Sequence, residues 1–466
     1  MAIVFGACLF AVGLLTAPPA RADGPAGGAE LMVAQSLGER ELTIIVHRAQ
    51  PVPGPLQVEV VSHAGTAAGT LTLGAMPTDR GGAGSSTTVQ LTERVGPYPA
   101  TLRVDHAGPW ELTVSDGEQT SRIPFLVAAQ VVTPWERAAY GGFFTAGALV
   151  LVSLGTALIA KRSWVALVPV GGTIAALTVA VTAALLSSSA PQPRPAGSLL
   201  DPTSGNIGDP YPELGLPLTT NYSRPPANLT VRAESVSTGH PTDVQLSLTD
   251  SATGRPVDDL LVTDDALMHL MIVGPSGRLW HRHPIRTAPG EYRIRLGFTE
   301  SGDYAIAAEI ARRGGGVQLL RSSLRISGDA APGTGDTAAP GTELNATDLV
   351  AGEPGTLTAR FGGAADLQPW LGMVGHLIAV GPLPEGTSPG TTAGTAPIWA
   401  HAHAMPPTLA VGAQAPDETV AAYGPNVAFT FTFPLPGRYL VWAQAERGYS
   451  VLTVPATVDV RAAVPR

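Results

Sequence analysis

The 466-residue chain contains one cysteine, Cys8, and one lysine, Lys161. Cys8 falls in an apolar stretch within residues 1–22, which ends in the small-residue sequence Ala-Arg-Ala and is typical of a secretory signal peptide. No basic residue precedes this stretch, so a cleaved signal and a retained anchor are both compatible with it. If the signal is cleaved, the mature chain has no cysteine, which excludes disulfide bonds and thiolate metal sites.

Charge is also sparse, at 14% of the residues with a net charge of −9 and no basic cluster. Proteins that bind nucleic acids need Lys and Arg to neutralise phosphates, so we expect no nucleic-acid partner. The sequence lacks a Gly-x-Ser-x-Gly elbow, a Walker loop and a His-Glu-x-x-His helix. Asp264 and Asp265 would be the acid–base residues of a zinc hydrolase, but acidic loop residues are usually just solvated. We therefore predict that the protein is not an enzyme.

Two long apolar runs carry no charge, from Gly141 to Ala160 and from Val165 to Leu186. Each has about 20 residues, enough to cross the hydrocarbon layer of a membrane as a helix. We predict transmembrane helices at residues 138–160 and 165–186. Neither run contains an Asp, Glu, His or Arg that could relay ions, which argues against a transporter.

The short connection between these runs, residues 161–164, sets the expected orientation. It holds Lys161 and Arg162, and the positive-inside rule places such a loop in the cytoplasm. The signal peptide requires the same orientation of the N-terminal region. We therefore predict a multi-pass protein of the cell membrane with both its N- and C-terminal regions extracytoplasmic.

Outside these runs, short alternating segments separated by Gly, Pro and Asp turns predict β-strands. They group into three regions, residues 23–135, 226–328 and 343–466. The segment 187–225 is rich in Pro, Ser, Gly and Asn and reads as a linker, as does the low-complexity segment 329–342. Because strands dominate all three regions, the predicted fold class is mainly β.

A Gly-x-aromatic turn between two alternating strands recurs in each of the three regions. Glycine supplies the unusual backbone angles of the turn, and the aromatic residue two positions later can then enter the core. Three copies predict three immunoglobulin-like β-sandwich domains, with the two-helix transmembrane hairpin between the first and the second. The pairs are Gly108 and Trp110, Gly302 and Tyr304, and Gly437 and Tyr439.

The second and third regions share a histidine pattern that the first lacks. A strand with His-Leu-x-x-Val-Gly-Pro is followed by a tryptophan and then by His-x-His. Strand residues at i and i+2 point to the same face, so each His-x-His pair can converge on one ion. Restriction to two of three copies favours a function over packing. The candidate metal ligands are His269, His281 and His283, and then His376, His401 and His403.

Whether His269 shares a face with the pair that follows it depends on the hairpin register. A two-residue turn in Gly-Pro-Ser-Gly would set His269 opposite Arg282, on the other face from His281 and His283. A one-residue bulge would bring all three histidines together. In the third region the loop before His401 is too long to impose any register, so the alternatives stay open.

The type of ligand narrows the choice of metal. Imidazole suits Cu(II), Zn(II) and Ni(II), and the nearby thioethers of Met268, Met271 and Met405 favour copper, with zinc as the alternative. Histidines that only form hydrogen bonds or pack on the surface are the competing interpretation. Four further histidines, His47, His63, His106 and His240, stand alone in the sequence and are assigned no role.

The stretches "LMHLMIVGPSGRLWHRHP" and "LGMVGHLIAVG…IWAHAHAM" resemble bacterial extracytoplasmic domains of YtkA-like and copper-associated proteins, many of them uncharacterised. The first region is similar to YtkA-like sandwiches in its strands and turns. The resemblance implies an envelope location and suggests copper, with the family's histidines falling on His269, His281 and His283 and on their counterparts in the third region. The third region departs from the pattern at Ala404, where the family has proline.

Together these features predict a membrane-anchored extracytoplasmic binding protein that holds copper or a similar divalent metal through its His-x-His motifs. The alternative is a non-enzymatic cell-envelope scaffold or protein-interaction module without metal, in which an envelope protein would be the partner. Metal identity, physiological partner and oligomeric state all stay open at the level of sequence.

Overall fold

The computed structural model of the protein describes residues 31–47, 51–79, 83–127, 134–159, 163–189, 225–233, 237–313, 315–329, 341–384, 386–404 and 419–463. The described chain is mainly β, with two apolar helices in the middle, as the sequence predicts. The proposed signal peptide, residues 1–22, lies outside the described residues, as does most of the segment 187–225. That the β regions are immunoglobulin-like stays a prediction.

The first β module, residues 31–127, contains two antiparallel sheets of four strands with the orders β1-β2-β3-β6 and β5-β4-β7-β8. Alternating side chains of both sheets enclose one hydrophobic core, in which Trp110 is fully buried. The strands are β1 (Leu31–Leu37), β2 (Arg40–Val46), β3 (Gly54–Ser62), β4 (Gly69–Pro77), β5 (Ser85–Leu91), β6 (Gly96–Val104), β7 (Gly108–Ser115) and β8 (Thr120–Val127).

Two helices follow, α1 (Pro134–Ile159) and α2 (Leu167–Ser189), with a 3-10 turn at Ser163–Ala166 between them. Both are long and apolar enough to cross a membrane. Where they pack, a Cβ on Gly142 would lie 2.8 Å from the carbonyl oxygen of Ala176, so only glycine permits this approach. Lys161 and Arg162 lie outside the described residues, so the cytoplasmic side stays a prediction.

The second β module, residues 225–329, again has two sheets around one core. One has the order β14-β15-β10-β9, and the other has the order β11-β16-β12-β13 with β17 paired to β16. The strands are β9 (Ala227–Ala233), β10 (Pro241–Asp250), β11 (Leu260–Leu261), β12 (His269–Val273), β13 (Leu279–Arg282), β14 (Ile285–Ala288), β15 (Glu291–Gly297), β16 (Gly302–Arg312) and β17 (Gly316–Ile326).

The third β module, residues 341–463, pairs a sheet of order β18-β19-β22 with one of order β21-β20-β23-β24. Its core is separate from that of the second module. The elements are β18 (Thr342–Ala346), β19 (Pro354–Phe361), β20 (Gly375–Gly381), α3 (Pro389–Thr395), β21 (Ile398–Ala404), β22 (Asn426–Thr432), β23 (Gly437–Arg447) and β24 (Ser450–Val460).

The Gly-x-aromatic turn opens a strand in each module, namely β7, β16 and β23. The three glycines have φ between +132° and +144°, a conformation that side-chain-bearing residues rarely adopt. The aromatic ring that follows is fully buried and donates a hydrogen bond to the carbonyl four residues before it. These bonds are Trp110 Nε1–H to His106 O (3.2 Å), Tyr304 O–H to Glu300 O (2.9 Å) and Tyr439 O–H to Leu435 O (2.8 Å).

A further buried apolar cluster joins the second and third modules and positions the histidines. Met271 and Val273 of β12 belong to it, together with Ile378 and Val380 of β20. His269 is the first residue of β12 and His376 is the second residue of β20. Because the packed residues lie on the same strand faces as these histidines, the contact between the two sheets brings the histidine-bearing faces toward each other. Trp442 of β23 lies in the same cluster, 2% exposed.

Candidate metal centre

The hairpin of β12 and β13 has the register that gathers the three histidines of the second module. Val273 pairs with Leu279 and Met271 with His281, so His269 continues the same ladder opposite His283. The loop has three residues, Pro275 to Gly277, and Gly277 takes φ +88°. The alternative with all three histidines on one face is therefore the one found, and the two-residue turn is wrong.

The third module reproduces this register despite a much longer connection. His376 pairs with His403 and Ile378 with His401 across β20 and β21, although α3 is inserted between these strands. In each module one nitrogen of each of the three histidines lies within 4.8 Å of those of the other two, a spacing that one metal ion can bridge. We refer to these groups as the second-module triad (His269, His281, His283) and the third-module triad (His376, His401, His403).

The first histidine of each triad is fixed by a hydrogen bond to a carbonyl in a tight turn. His269 Nε2–H donates to Thr263 O and His376 Nε2–H donates to Trp370 O, both at 3.0 Å. A carbonyl only accepts, so each ring carries its proton on Nε2 and presents a bare Nδ1. Metal-ligating histidines are typically oriented by such a bond from the nitrogen that does not bind the metal.

The bare nitrogens point at the next histidine of the same triad. His269 Nδ1 lies 3.2 Å from His281 Nε2, and His376 Nδ1 lies 3.0 Å from His401 Nε2. In the second-module triad, His281 Nδ1 is bonded to the amide oxygen of Gln444 at 2.9 Å and must be protonated there. Two lone pairs then face each other between His269 and His281, an arrangement that a cation between them would stabilise.

Gln444 belongs to the third module, and its counterpart in the second module is Glu309. Gln444 pairs with His376 and Glu309 pairs with His269 in equivalent ladders. Glu309 reaches back to His401, with Oε1 at 3.7 Å from Nδ1. Each module thus supplies one side chain behind the second histidine of the other module's triad.

Three imidazole nitrogens in the two triads are buried without a hydrogen-bond partner, namely His283 Nε2, His401 Nδ1 and His403 Nε2. A buried polar nitrogen that makes no hydrogen bond costs about 1–3 kcal/mol, and such atoms commonly indicate an ion or water. His283 and His403 occupy the same position in the two triads. The orphaned Nε2 atoms of His283 and His403 therefore fit a metal ion as the missing partner, whereas His401 Nδ1 faces Glu309.

Burial keeps these rings in the form that metals bind. It lowers the pKa of His269 and lowers the pKa values of His281, His283, His376 and His401 well below that of a free histidine, and neighbouring imidazoles lower them further. A metal ion binds the neutral ring, so protons compete less with it here than at an exposed histidine. His403 is the most open of the six, with 17% of its side chain exposed.

Three carboxyl groups that the sequence analysis did not assign to a metal site lie near the triads. Asp264 Oδ2 lies 3.7 Å from His403 Nε2. Asp265 is half-buried with its Oδ2 enclosed, and this burial beside Asp264 raises the pKa of its carboxyl group to about 7. Burial also raises the pKa of Glu309. The expectation that Asp264 and Asp265 are merely solvated is wrong for Asp265, because the turn that anchors His269 points it inward. A single acidic residue in the apolar strand "AIAAEIA" was the available signal for Glu309.

The methionines occupy different surroundings. Met268 belongs to the core of the second module, and Met271 belongs to the apolar cluster between the modules. Met405 lies outside the described residues. The donors that the structure gathers are therefore imidazole nitrogens, a set that suits Cu(II), Zn(II) and Ni(II).

A cavity of about 150 Å³ opens beside the second-module triad, where all three β modules meet. His281 and His283 line it from the second module, Gln444 from the third and His63 from the first. His63 Nδ1 bonds to Glu446 Oε1 at 2.7 Å and its Nε2 lies 2.9 Å from Thr43 Oγ1. His63 is thus a hydrogen-bonding residue between the first and third modules, and it is not a member of either triad.

Comparison with known proteins gives little functional guidance. Residues 339–462 match a family described as a domain of unknown function (DUF8832). No curated protein matches the chain. Among solved structures, a tetra-tandem repeat from the extending region of a large adhesion protein is 10% identical, with 93% of this chain and 74% of that chain covered and a TM-score of 0.17. Invasin, a bacterial integrin-binding protein, is 11% identical, with 90% and 60% covered and a TM-score of 0.15.

A third similar structure is the dimeric latent PorU of Porphyromonas gingivalis, which is 9% identical with a TM-score of 0.17. The alignment covers 94% of this chain and 34% of that chain. The chain therefore spans about a third of the PorU structure and less than two thirds of invasin.

Proposed function

We propose that the protein is a membrane-anchored extracytoplasmic metal-binding protein, and that its two histidine triads hold copper. One observation carries this proposal. The N–H groups of His269, His281 and His376 are tied to oxygen acceptors, so that bare nitrogens converge inside a buried cluster. Packing alone does not need a cluster of six histidines in which the bare nitrogens of His269 and His281 face each other.

Copper is the first choice among the metals that suit imidazole. Cu(II) binds nitrogen sites more tightly than the other first-row divalent ions, and Zn(II) is the nearest alternative. The resemblance of the histidine-bearing segments to copper-associated extracytoplasmic domains favours the same metal. We propose a role in binding metal, because each triad gathers three imidazole ligands.

The helices α1 and α2 support the anchoring part of the proposal. Their lengths and apolar surfaces suit a hairpin that crosses the membrane twice, with the short connection in the cytoplasm and the β modules outside. A reporter enzyme that works only in the cytoplasm should be active when it is fused at Ser163, and one that works only outside the membrane should be inactive there. Activity of an extracytoplasmic reporter at this position would reverse the topology.

Metal binding is tested by titrating the full chain in detergent micelles with Cu(II), Zn(II) and Ni(II), and with Cu(I) under reducing conditions, and by counting the ions retained. We expect tight binding of copper that falls when His281→Ala/His283→Ala or His401→Ala/His403→Ala is introduced. The matched control is His47→Ala/His240→Ala, which removes two histidines outside the triads. Binding no tighter than that of the control histidines would leave the scaffold interpretation.

A further inference from the structure

The two triads are not separate sites at a distance from each other. The ring of His401 in the third-module triad lies 5.1 Å from that of His269 and 5.0 Å from that of His281, measured between centroids. Within the second-module triad, the rings of His269 and His281 are 5.5 Å apart. The spacing between the triads is thus the same as the spacing within them.

Resting on the proposed metal binding, we propose that the six histidines form one dinuclear metal centre shared by the second and third modules. In this centre two divalent ions lie close enough to interact directly. Each ion takes three imidazole ligands from one module and leaves room for a small bridging ligand such as hydroxide. The sites therefore fill as a coupled pair.

The supporting residues cross the interface in both directions. Gln444 of the third module holds His281 of the second, while Glu309 of the second module faces His401 of the third. Gln444 and Glu309 are equivalent positions beside the first histidine of their own triads. This reciprocal arrangement relates the second and third modules by an approximate twofold symmetry. Metal binding at one triad therefore acts on the side chain that faces the second histidine of the other triad.

The tight turns that anchor the first histidines also meet. Thr263 to Ala266 and Trp370 to Met373 are both closed by two backbone hydrogen bonds, and both central residues of each turn have positive φ. A Cβ on Gly372 would lie 3.2 Å from Asp265 Oδ2, which shows how closely one turn approaches the other. The indole of Trp370 then packs on rings from both triads, at 5.4 Å from His281 and 4.8 Å from His376.

Charge provides a further argument. Two divalent ions in a buried set of neutral imidazoles are costly unless negative groups lie nearby. Asp264 and Glu309 each place a carboxyl oxygen 3.7 Å from an imidazole of the third-module triad. In Asp265 a further carboxyl oxygen, Oδ2, is buried without a hydrogen-bond partner. Two carboxyl groups therefore border the third-module triad, and a third lies in the turn next to it.

The test is electron paramagnetic resonance of the full-length chain in detergent, loaded with one and then two equivalents of Cu(II). We expect two ions per chain and a signal at full loading that is broadened or integrates to clearly fewer than two spins. The chain with His401→Ala/His403→Ala should hold one ion and give a mononuclear spectrum of full intensity. Titration of the unaltered chain serves the same purpose if this variant does not fold.

The outcomes separate the two proposals. Two ions with additive, fully integrating mononuclear spectra would overturn the dinuclear centre and leave metal binding intact. A single ion that uses rings of both triads would do the same. Failure to retain any ion would contradict the proposed function itself, and the dinuclear centre with it.

Discussion

The two triads share a register and an anchor but differ in the groups behind them. In the second-module triad, His281 donates to the neutral amide of Gln444 at 2.9 Å, and all three rings are buried. In the third-module triad, His401 Nδ1 faces the carboxyl group of Glu309 at 3.7 Å without a hydrogen bond, and His403 is partly exposed beside Asp264. The second-module triad is buried and already oriented before any ion arrives, and the third-module triad is partly exposed and has carboxyl groups beside it.

This difference indicates how a duplicated site can acquire two behaviours. Orientation by a hydrogen bond reduces the rearrangement that binding requires, so the second-module triad should retain its ion more tightly. Partial exposure and nearby carboxylates give the third-module triad readier access to ions from solvent. We therefore expect the third-module triad to exchange its ion faster.

The largest effect should come from deleting one triad at a time. At a free copper concentration about 1,000 times the dissociation constant, an ion stabilises the folded chain by about 4 kcal/mol. His281→Ala/His283→Ala should abolish most of the gain in unfolding temperature on adding Cu(II), and His401→Ala/His403→Ala should abolish a smaller part. Calorimetry of the full chain in detergent measures both, with His47→Ala/His240→Ala as the control. Equal losses would break the comparison between the triads.

Acid should destabilise the metal-free protein in a defined window. An unfolded histidine titrates near pH 6.5, whereas burial lowers the pKa of His281 and His283 in the folded chain. Below about pH 6.5 the unfolded state therefore binds more protons, and the free energy of unfolding falls by up to about 1.4 kcal/mol per pH unit for each such ring. Unfolding by denaturant from pH 8 to pH 5 measures this slope. His281→Ala/His283→Ala should flatten it, and an unchanged slope would contradict the assignment.

Sequence patterns predicted the local parts of this centre well. Period-two alternation and Gly-x-aromatic turns indicated the strands, and the His-x-His spacing indicated which side chains share a face. The register of the β12–β13 hairpin was left open because it depends on one residue of loop length. The contact between the two triads was not predicted from the sequence. It follows from apolar packing of Met271 and Val273 against Ile378 and Val380, and the two pairs are about a hundred positions apart in the chain.

Residues behind the ligands were harder still to identify from the sequence. Glu309 and Gln444 reach the histidines of a different module, so their roles depend on the interface and not on any local motif. Asp265 resembles an ordinary turn residue in the sequence. Its inward position follows from a turn in which it takes φ +53° beside the equivalent turn at Gly372.

Asp265 should affect stability in the opposite pH direction from the buried histidines. Burial raises the pKa of its carboxyl group to about 7, against about 3.9 in an unfolded chain. A raised folded-state pKa favours folding at low pH, and this contribution is lost as the pH rises through about 7. Asp265→Asn, which tolerates positive φ, should therefore stabilise the metal-free chain at pH 8 by roughly 2–4 kcal/mol and have little effect at pH 4.

The measurement for Asp265 is the free energy of unfolding in denaturant at both pH values, with Asp329→Asn, at an exposed position of the same module, as the control. With copper bound, the gain from Asp265→Asn should shrink, because the carboxylate then offsets the charge of the ions. A gain of the same size at pH 4 and pH 8 would show that ionisation of Asp265 is not its source.

The smallest effects should come from replacing Gln444 and Glu309, the side chains that face Nδ1 of His281 and of His401. Gln444→Ala leaves His281 Nδ1–H without its acceptor and should weaken the ion of the second-module triad by about 10- to 100-fold. Glu309→Ala removes a group that is 3.7 Å from His401 Nδ1 and makes no hydrogen bond there, so the loss at the third-module triad should stay below about tenfold. Competition with a chelator, in chains that retain a single triad, measures each affinity. Equal losses of affinity would mean that, once metal is bound, Glu309 accepts a hydrogen bond from His401 as Gln444 already does from His281. The difference between the two triads would then exist only in the metal-free protein.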